Sequence, residues 1–523
     1  MKRFLCIFLT ALTAFSCNFL DELPDSRTEI DSEEKIVQLL VSAYPQFHPA
    51  VFLELMSDNV DDFIGEENVY SQRYTDQYGL WQDDTESAQY DNPKNVWETS
   101  YSCIATANQA LMSIEEMGTP ESLLQYKGEA LMIRAYNHFV LASIFCMPYN
   151  PETASSELGI PYSTEPETAL NPQYERGTLA EVYSKIDADI QEALPLVGDS
   201  YTVPKYHFTR EAAYAFATRF YLFYQDWNRV IEYADEVLGG RETSYQHDWS
   251  ATAAKTYDFD VYTQDYTSAS SQANILIATG YSLAGVIFGP YAVSKRFTLT
   301  SLTDKEVCEH GGPWGLTYNT DFAYRLRLFT YTTSTYSFTC VPKYPYLFQY
   351  ADAVAGIGYP HSLFPIVTGE EVLLNRAEAK ILKSKIDEGL KDLYIWQSMK
   401  FSGFTYAINA PSVEWYYGSV GDYDPLLNTQ GNRKLHPQGF TVRDGEMNNA
   451  IQCCLQCRRI NFVHDGMRWF DIGRYGIDIY RRLIDKNSRF DSVEATLPYD
   501  DPRHAVQIPQ DVVSAGLQPN PRN

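Results

Sequence analysis

Thr209-Arg-Glu-Ala-Ala-Tyr-Ala-Phe-Ala-Thr-Arg-Phe-Tyr-Leu-Phe-Tyr224, followed after one residue by Asp226-Trp-Asn-Arg-Val-Ile-Glu-Tyr-Ala-Asp-Glu-Val-Leu238 and then Gly239-Gly240, reads as two helices joined by a tight turn. Thr209 supplies a side-chain acceptor for the free amides of a first turn. Gly239 can take the left-handed conformation that closes a helix at little cost. Small residues at Ala212, Ala215 and Ala217 let the two helices approach closely, so the pair reads as a tetratricopeptide-like hairpin. A second pair is predicted over 369–384 and 385–400. The repeats are too degenerate for a regular solenoid.

Other helix starts lie outward from this pair. Thr178-Leu-Ala-Glu181 and Thr368-Gly-Glu-Glu371 have capping-box spacing, and Thr119-Pro120 places a cap residue before a proline at the first helical position. Leu124, Leu131, Ala135, Ala142 and Phe145 repeat at helical spacing, as do Leu374, Ala377 and Ile381, which predicts amphipathic helices. Between about 241 and 365 the texture changes to Ser, Thr, Tyr, Gly and Pro with short apolar runs, which reads as loops and short strands. Loop-rich stretches are also expected over 54–93 and 401–448. The fold class is therefore mainly α. Helix pairs form a scaffold over about 31–240, 368–400 and 447–523, and loop-rich, short-strand insertions over about 241–365 and 401–446 face a ligand.

The chain of 523 residues is long enough for a large core, and its 45 % apolar and 21 % charged composition is that of a folded protein. A formal charge of −27 excludes general nucleic-acid binding, which needs a basic surface. With 40 Tyr, 27 Phe and 8 Trp, the chain is rich in rings that either fill a core or stack on flat, hydroxyl-rich ligands such as sugars.

Lys2 and Arg3 precede the mostly apolar run Phe4–Phe15 and the small residue Ser16, which is the pattern of a signal peptide over 1–16. The apolar run falls short of the roughly 20 residues a spanning helix needs. Ala14-Phe15-Ser16 before Cys17 is similar to a bacterial lipobox, so Cys17 is expected to be lipidated and to hold the chain on a membrane by its acyl chains. Seven cysteines remain beyond it. Their number is odd, so they read as buried small apolar residues with at most one bridge, and the Cys454-Leu-Gln-Cys457 spacing finds no second half of a zinc site.

No phosphate loop, dinucleotide fingerprint, zincin motif or EF-hand loop occurs. Gly280-Tyr-Ser-Leu-Ala284 lacks the closing glycine of a hydrolase elbow. Asp58, Asp61 and Asp62, or Asp83 and Asp84, do not make a glycosidase pair in a chain with 68 acidic residues. The cluster 58–62 reads as a solvated, hydrogen-bonded turn more readily than as a calcium site, because it lacks loop spacing. No metal and no cofactor are expected.

Several stretches, taken in order, resemble the SusD/RagB family. They are Cys17-Asn-Phe-Leu-Asp-Glu-Leu-Pro24, Trp97-Glu-Thr-Ser-Tyr-Ser-Cys-Ile-Ala-Thr-Ala-Asn108, Glu129-Ala-Leu-Met-Ile-Arg-Ala-Tyr-Asn-His-Phe139, Glu371-Val-Leu-Leu-Asn-Arg-Ala-Glu-Ala379 and the C-terminal signature Arg458-Arg-Ile-Asn-Phe-Val-His-Asp-Gly-Met-Arg-Trp-Phe-Asp-Ile-Gly-Arg-Tyr-Gly476. The resemblance implies one SusD-like domain over 17–523 of a surface-exposed outer-membrane lipoprotein. It would bind nutrient, commonly oligosaccharide, as a lid on a SusC-like TonB-dependent transporter. Cys457 and Asn461 stand where the family usually has Glu, His464 where it has an aromatic, and the chain ends Pro519-Asn-Pro-Arg-Asn523 without the usual Asn-Pro-Gly-Tyr close. Arg458, Arg459, Asp465, Arg468, Asp471 and Arg474 read as a structural charge network around Trp469 and Phe470.

A glycan binder needs rings on loops with free faces and polar partners beside them. The first candidate segment holds Arg73, Tyr74, Tyr78, Trp81 and Gln82. The second is Glu309-His-Gly-Gly-Pro-Trp-Gly-Leu-Thr-Tyr318, which also resembles the family's Gly/Trp loop; it offers Trp314 and Tyr318, with Tyr291 earlier on the chain. Trp415-Tyr-Tyr417 suits either ligand or partner. The leading expectation is a non-catalytic nutrient binder, set against capture of a peptide or glycoprotein, a surface glycoside hydrolase, and a structural adaptor.

Overall fold

The hydroxyl of Thr209 accepts the amide of Ala212 at 3.2 Å and opens helix Arg210–Tyr224. Gln225, at φ 67°, takes the left-handed turn position where a glycine would be easiest. Asp226 caps the amide of Arg229 at 3.2 Å, and helix Trp227–Leu238 closes on Gly239 at φ 52°. In this computed structural model, residues 30–63, 73–84, 89–166, 174–291, 295–308, 312–315, 323–324, 326–332, 337–402, 404–485 and 489–522 are described. The signal peptide expected over 1–16 and the expected lipidation site Cys17 lie outside them.

The hairpin is one of a series of packed helices. Pro93–Glu116 packs on Leu124–Phe145, which packs on Leu179–Ala193; Trp227–Leu238 packs on Gly369–Leu382, which packs on Ile386–Lys400 and Glu446–Asn461. Phe139 joins the two groups by meeting Phe216, Phe220 and Phe223 edge-on. Fully burying one such ring contributes about 1.5–3 kcal/mol, whereas an exposed ion pair such as Lys127–Glu192 contributes about 0–1, so apolar faces hold the array together. The mainly α scaffold of helix pairs is thus present.

Helices Leu124–Phe145 and Gly369–Leu382 are buried nearly all round, not on one face as their periodicity suggests. Polar residues on the far faces are satisfied internally: Arg134 pairs with Asp189 at 2.6 Å, and Arg219 takes Glu371. That second pair changes a cap. Thr368 accepts the Glu371 amide at 3.4 Å, but the Glu371 carboxylate goes to Arg219 and does not return to the cap backbone. The box at Thr178 and Glu181 is complete, with bonds of 2.9 and 3.2 Å. After Pro120 a short 3-10 turn, Glu121–Leu123, precedes the helix.

Region 241–365 departs from loops and short strands. Asn274–Tyr281, Ile357–Thr368 and Leu347–Asp352 form a three-stranded antiparallel sheet with the long strand in the centre. Pro360 and Pro365 sit inside that strand and remove ladder donors, which is why the run reads as loop. The last segment departs too: beyond helices Glu446–Asn461 and Met467–Tyr475 the chain forms antiparallel strands Ile479–Ile484 and Phe490–Leu497. All seven cysteines from Cys103 to Cys457 are buried and unbridged.

The C-terminal arginines build the expected network, and its acids come from far away. Arg468 grips Asp58 at 2.8 and 2.9 Å, Arg482 reaches Asp61 at 2.8 Å, and Arg296 holds Asp62 at 2.8 Å. Arg459 and Arg482 share Glu306 at 2.7 Å each, with Arg433 at 3.1 Å. Burial pushes Glu306 up, but the guanidinium groups of Arg482, Arg459 and Arg433 outweigh it and hold the carboxyl at about 2. Arg458 pairs with Asp471 at 2.8 Å, Arg474 with Glu378, and Asp465 with Lys343 at 2.7 Å. Asp58, Asp61 and Asp62 are therefore buried ion-pair partners, not a solvated turn. At the divergent positions, Asn461 accepts the Trp396 indole N–H at 3.0 Å and His464 stacks on Phe288 at 4.4 Å.

Candidate functional site

Alternate residues of a strand point to one side of a sheet. At the edge strand Leu347–Asp352 this places Phe348 and Tyr350 on one face, and Tyr346 precedes them in the same phase. Phe348 and Tyr350 lie 5.0 Å apart, and Tyr346 lies 5.6 Å from Tyr291. Tyr291 meets Phe259 edge-on at 5.9 Å; Phe259 meets Phe329 at 5.4 Å; Phe329 stacks on Tyr257 at 4.3 Å. The result is a row of rings across the surface. Tyr291, Tyr346, Phe348 and Tyr350 are 39–60 % exposed, against a base of buried Phe259.

Two hydroxyls pin the row. Tyr291 donates to Asp260, and Tyr257 donates to the Leu328 carbonyl at 2.8 Å. Burial and then the bond to Asp260 raise the Tyr291 pKa well above the ordinary tyrosine value, so the hydroxyl stays a donor. A ring held by its tip keeps its orientation while its face stays available, which limits the entropy lost when a flat ligand stacks on it. Gly358 lies beside Phe348, where an added Cβ would sit 2.7 Å from the Phe348 ring.

The other sequence candidates lie elsewhere. Trp314 is 0 % exposed and stacks on Phe401 at 4.9 Å, so it is a core ring, corrected from a displayed one. Tyr78 and Trp81 are also buried. The Tyr78 hydroxyl donates to Asp84 at 2.8 Å, and the Trp81 indole N–H donates to the Met56 carbonyl at 2.7 Å under the Arg481 guanidinium. Both border a cavity of about 310 Å³. Arg73 and Tyr74 start helix Arg73–Gly79, but their side chains, like Tyr318, lie outside the described residues. The structure therefore brings Tyr78 and Trp81 together and leaves Tyr291 and Trp314 in separate surroundings. Trp415 is half-exposed beside Tyr406 at 5.9 Å, whereas Tyr416 and Tyr417 are core. Tyr346, Phe348 and Tyr350 escaped the sequence reading, although their period of two was the signal that marks them.

Residues 18–222 match the sequence profile of a SusD-like family described as starch-binding and associating with the outer membrane. Over those residues the chain is similar to the SusD-like family, and the solved structures extend the likeness of fold to nearly the whole chain. Its fold is similar to that of a SusD superfamily protein from Bacteroides thetaiotaomicron VPI-5482, at TM-score 0.62 and 18 % identity over 93 % of this chain and 98 % of that one. A SusD superfamily protein from Bacteroides vulgatus ATCC 8482 gives TM-score 0.63 and 17 % identity over 95 % and 99 %. A SusD-like carbohydrate binding protein from the same organism gives 0.59 and 15 % over 92 % and 96 %. No curated protein matches the sequence. Among the described residues, no helix is long and apolar enough to cross a membrane, and no group of three or more His, Cys, Asp or Glu is placed to hold a metal ion.

Proposed function

We propose that this SusD-like protein is a non-catalytic binder of an oligosaccharide or polysaccharide at the cell surface. It is held on the outer membrane by lipid on Cys17, and it delivers its ligand to a SusC-like TonB-dependent transporter. The observation that carries the binding reading is the exposed ring row Tyr291, Tyr346, Phe348 and Tyr350, because sugar faces stack on aromatic faces. The family's description as starch-binding, and the naming of one structural neighbour as carbohydrate binding, support the same ligand class. The arginine pairs on Asp58, Asp61 and Asp62 support a passive role, since these carboxylates are committed to the scaffold.

Calorimetric titration of the purified chain with a panel of neutral glycans tests the proposal, beside incubation with each glycan and an assay for new reducing ends. Saturable binding that weakens in Tyr350→Ala, with no product released, is expected. Tight binding of peptides with no glycan affinity, or turnover, overturns it. Cys17→Ala should release the protein from the membrane fraction.

A further inference from the structure

A second concave site lies away from the ring row, between helix Pro93–Glu116, the strap 161–165 with Tyr174, and the short helix Gln510–Ser514. Its volume of about 720 Å³ falls in the range of small-molecule sites. Trp97 and Tyr101, one helical turn apart with centroids at 5.0 Å, form one wall; Tyr101 is pinned there by donating its hydroxyl to the Pro161 carbonyl at 2.8 Å. Half-exposed Tyr174 stands on the rim.

The charge on this lining has one sign. Glu98, Glu165 and Asp511 are its charged residues, and the nearby Lys94 already spans two of them, 3.5 Å from Glu98 and 2.9 Å from Asp511. Glu165 makes no ion pair among the described residues. Arg503 and Arg522 line the neighbouring 310 Å³ cavity and are held by Asp501 and Asp83. Ring faces beside carboxylates attract an organic cation by the ring quadrupole and by charge, and they repel an anion.

We infer that this groove is a binding site for a small organic cation with a flat or apolar body, an amidinium, guanidinium or ammonium. The apolar body lies against Trp97 and Tyr101, and the charged head faces Glu165 and the Asp511 rim. The site stands apart from the glycan-binding row and shares no residue with it.

Ligand-observed NMR titration of the whole purified chain with benzamidine, benzamide and benzoate tests this. These three share one ring and differ in charge. Benzamidine is expected to saturate at least about tenfold below benzamide, benzoate not to bind, and added salt to weaken benzamidine. Ala105→Trp places a ring in the groove from an exposed position and should abolish binding, while Glu165→Gln should weaken benzamidine several-fold and leave benzamide unchanged, both with unshifted melting. Equal affinity for benzamidine and benzamide, no binding of benzamidine, or insensitivity to both substitutions overturns the assignment. Should Ala105→Trp fail to fold, Glu165→Gln alone decides.

Discussion

Asp91 is a buried carboxyl with no cation beside it among the described residues. It accepts the Ser282 hydroxyl at 2.5 Å and the Leu283 amide at 2.7 Å, tying the turn after strand Asn274–Tyr281 to the start of helix Pro93–Glu116. Burial outweighs these two bonds and raises its pKa from 3.8 to about 6. The folded protein thus keeps a proton that the unfolded chain gives up, and between the two values stability falls as pH rises. Two pKa units correspond to about 3 kcal/mol, present below the unfolded value and lost as pH climbs through about 6. Asp91→Asn removes the charge while keeping an acceptor for Leu283, and Ser282 can turn to accept the new amide. Urea unfolding followed by tryptophan fluorescence should show the variant more stable than the parent at pH 7.5, with the gap widening by about 2 kcal/mol from pH 4.5. A gap that stays constant with pH, or a variant weaker at pH 7.5, refutes the reasoning.

Trp314→Ala should cost about 3–5 kcal/mol in the same unfolding assay, because it empties a fully buried ring site, and an unchanged urea midpoint would contradict that placement. Glu306→Gln leaves Arg459, Arg482 and Arg433 short of a shared counter-charge and should destabilise by about 3–5 kcal/mol, visible as a lower melting temperature. Phe348→Ala and Tyr350→Ala should each weaken glycan affinity by more than about 1 kcal/mol in calorimetry. Their melting should stay within about 0.5 kcal/mol of the parent, as for exposed positions.

The scaffold was legible wherever a local rule decides it. Thr209, Asp226 and Gly239 punctuate the first hairpin as their chemistry predicts, and Thr178 with Glu181 closes its box. The ring surface was less legible, because a glycine has two meanings. Trp314 flanked by Gly312 and Gly315 reads as a displayed ring, yet an added Cβ at Gly312 would lie 2.5 Å from the indole, so that glycine lets Trp314 fold inward. Prolines 360 and 365 masked the long central strand, so the edge strand that carries Phe348 and Tyr350 had no visible partner to pair with. The cluster 58–62 carried no sign of its partners, since Arg468 lies 410 residues from Asp58 and Arg482 lies 421 from Asp61.

That separation bears on how the polypeptide matures. An N-terminal fragment holding Asp58 and Asp61 lacks the guanidinium groups of Arg468 and Arg482 that pair with them in the folded protein until positions 468 and 482 have been synthesised. Burying a carboxylate without its partner is costly, and here the partner comes from the far part of the chain. Native packing around these two carboxylates therefore waits on residues hundreds of positions away.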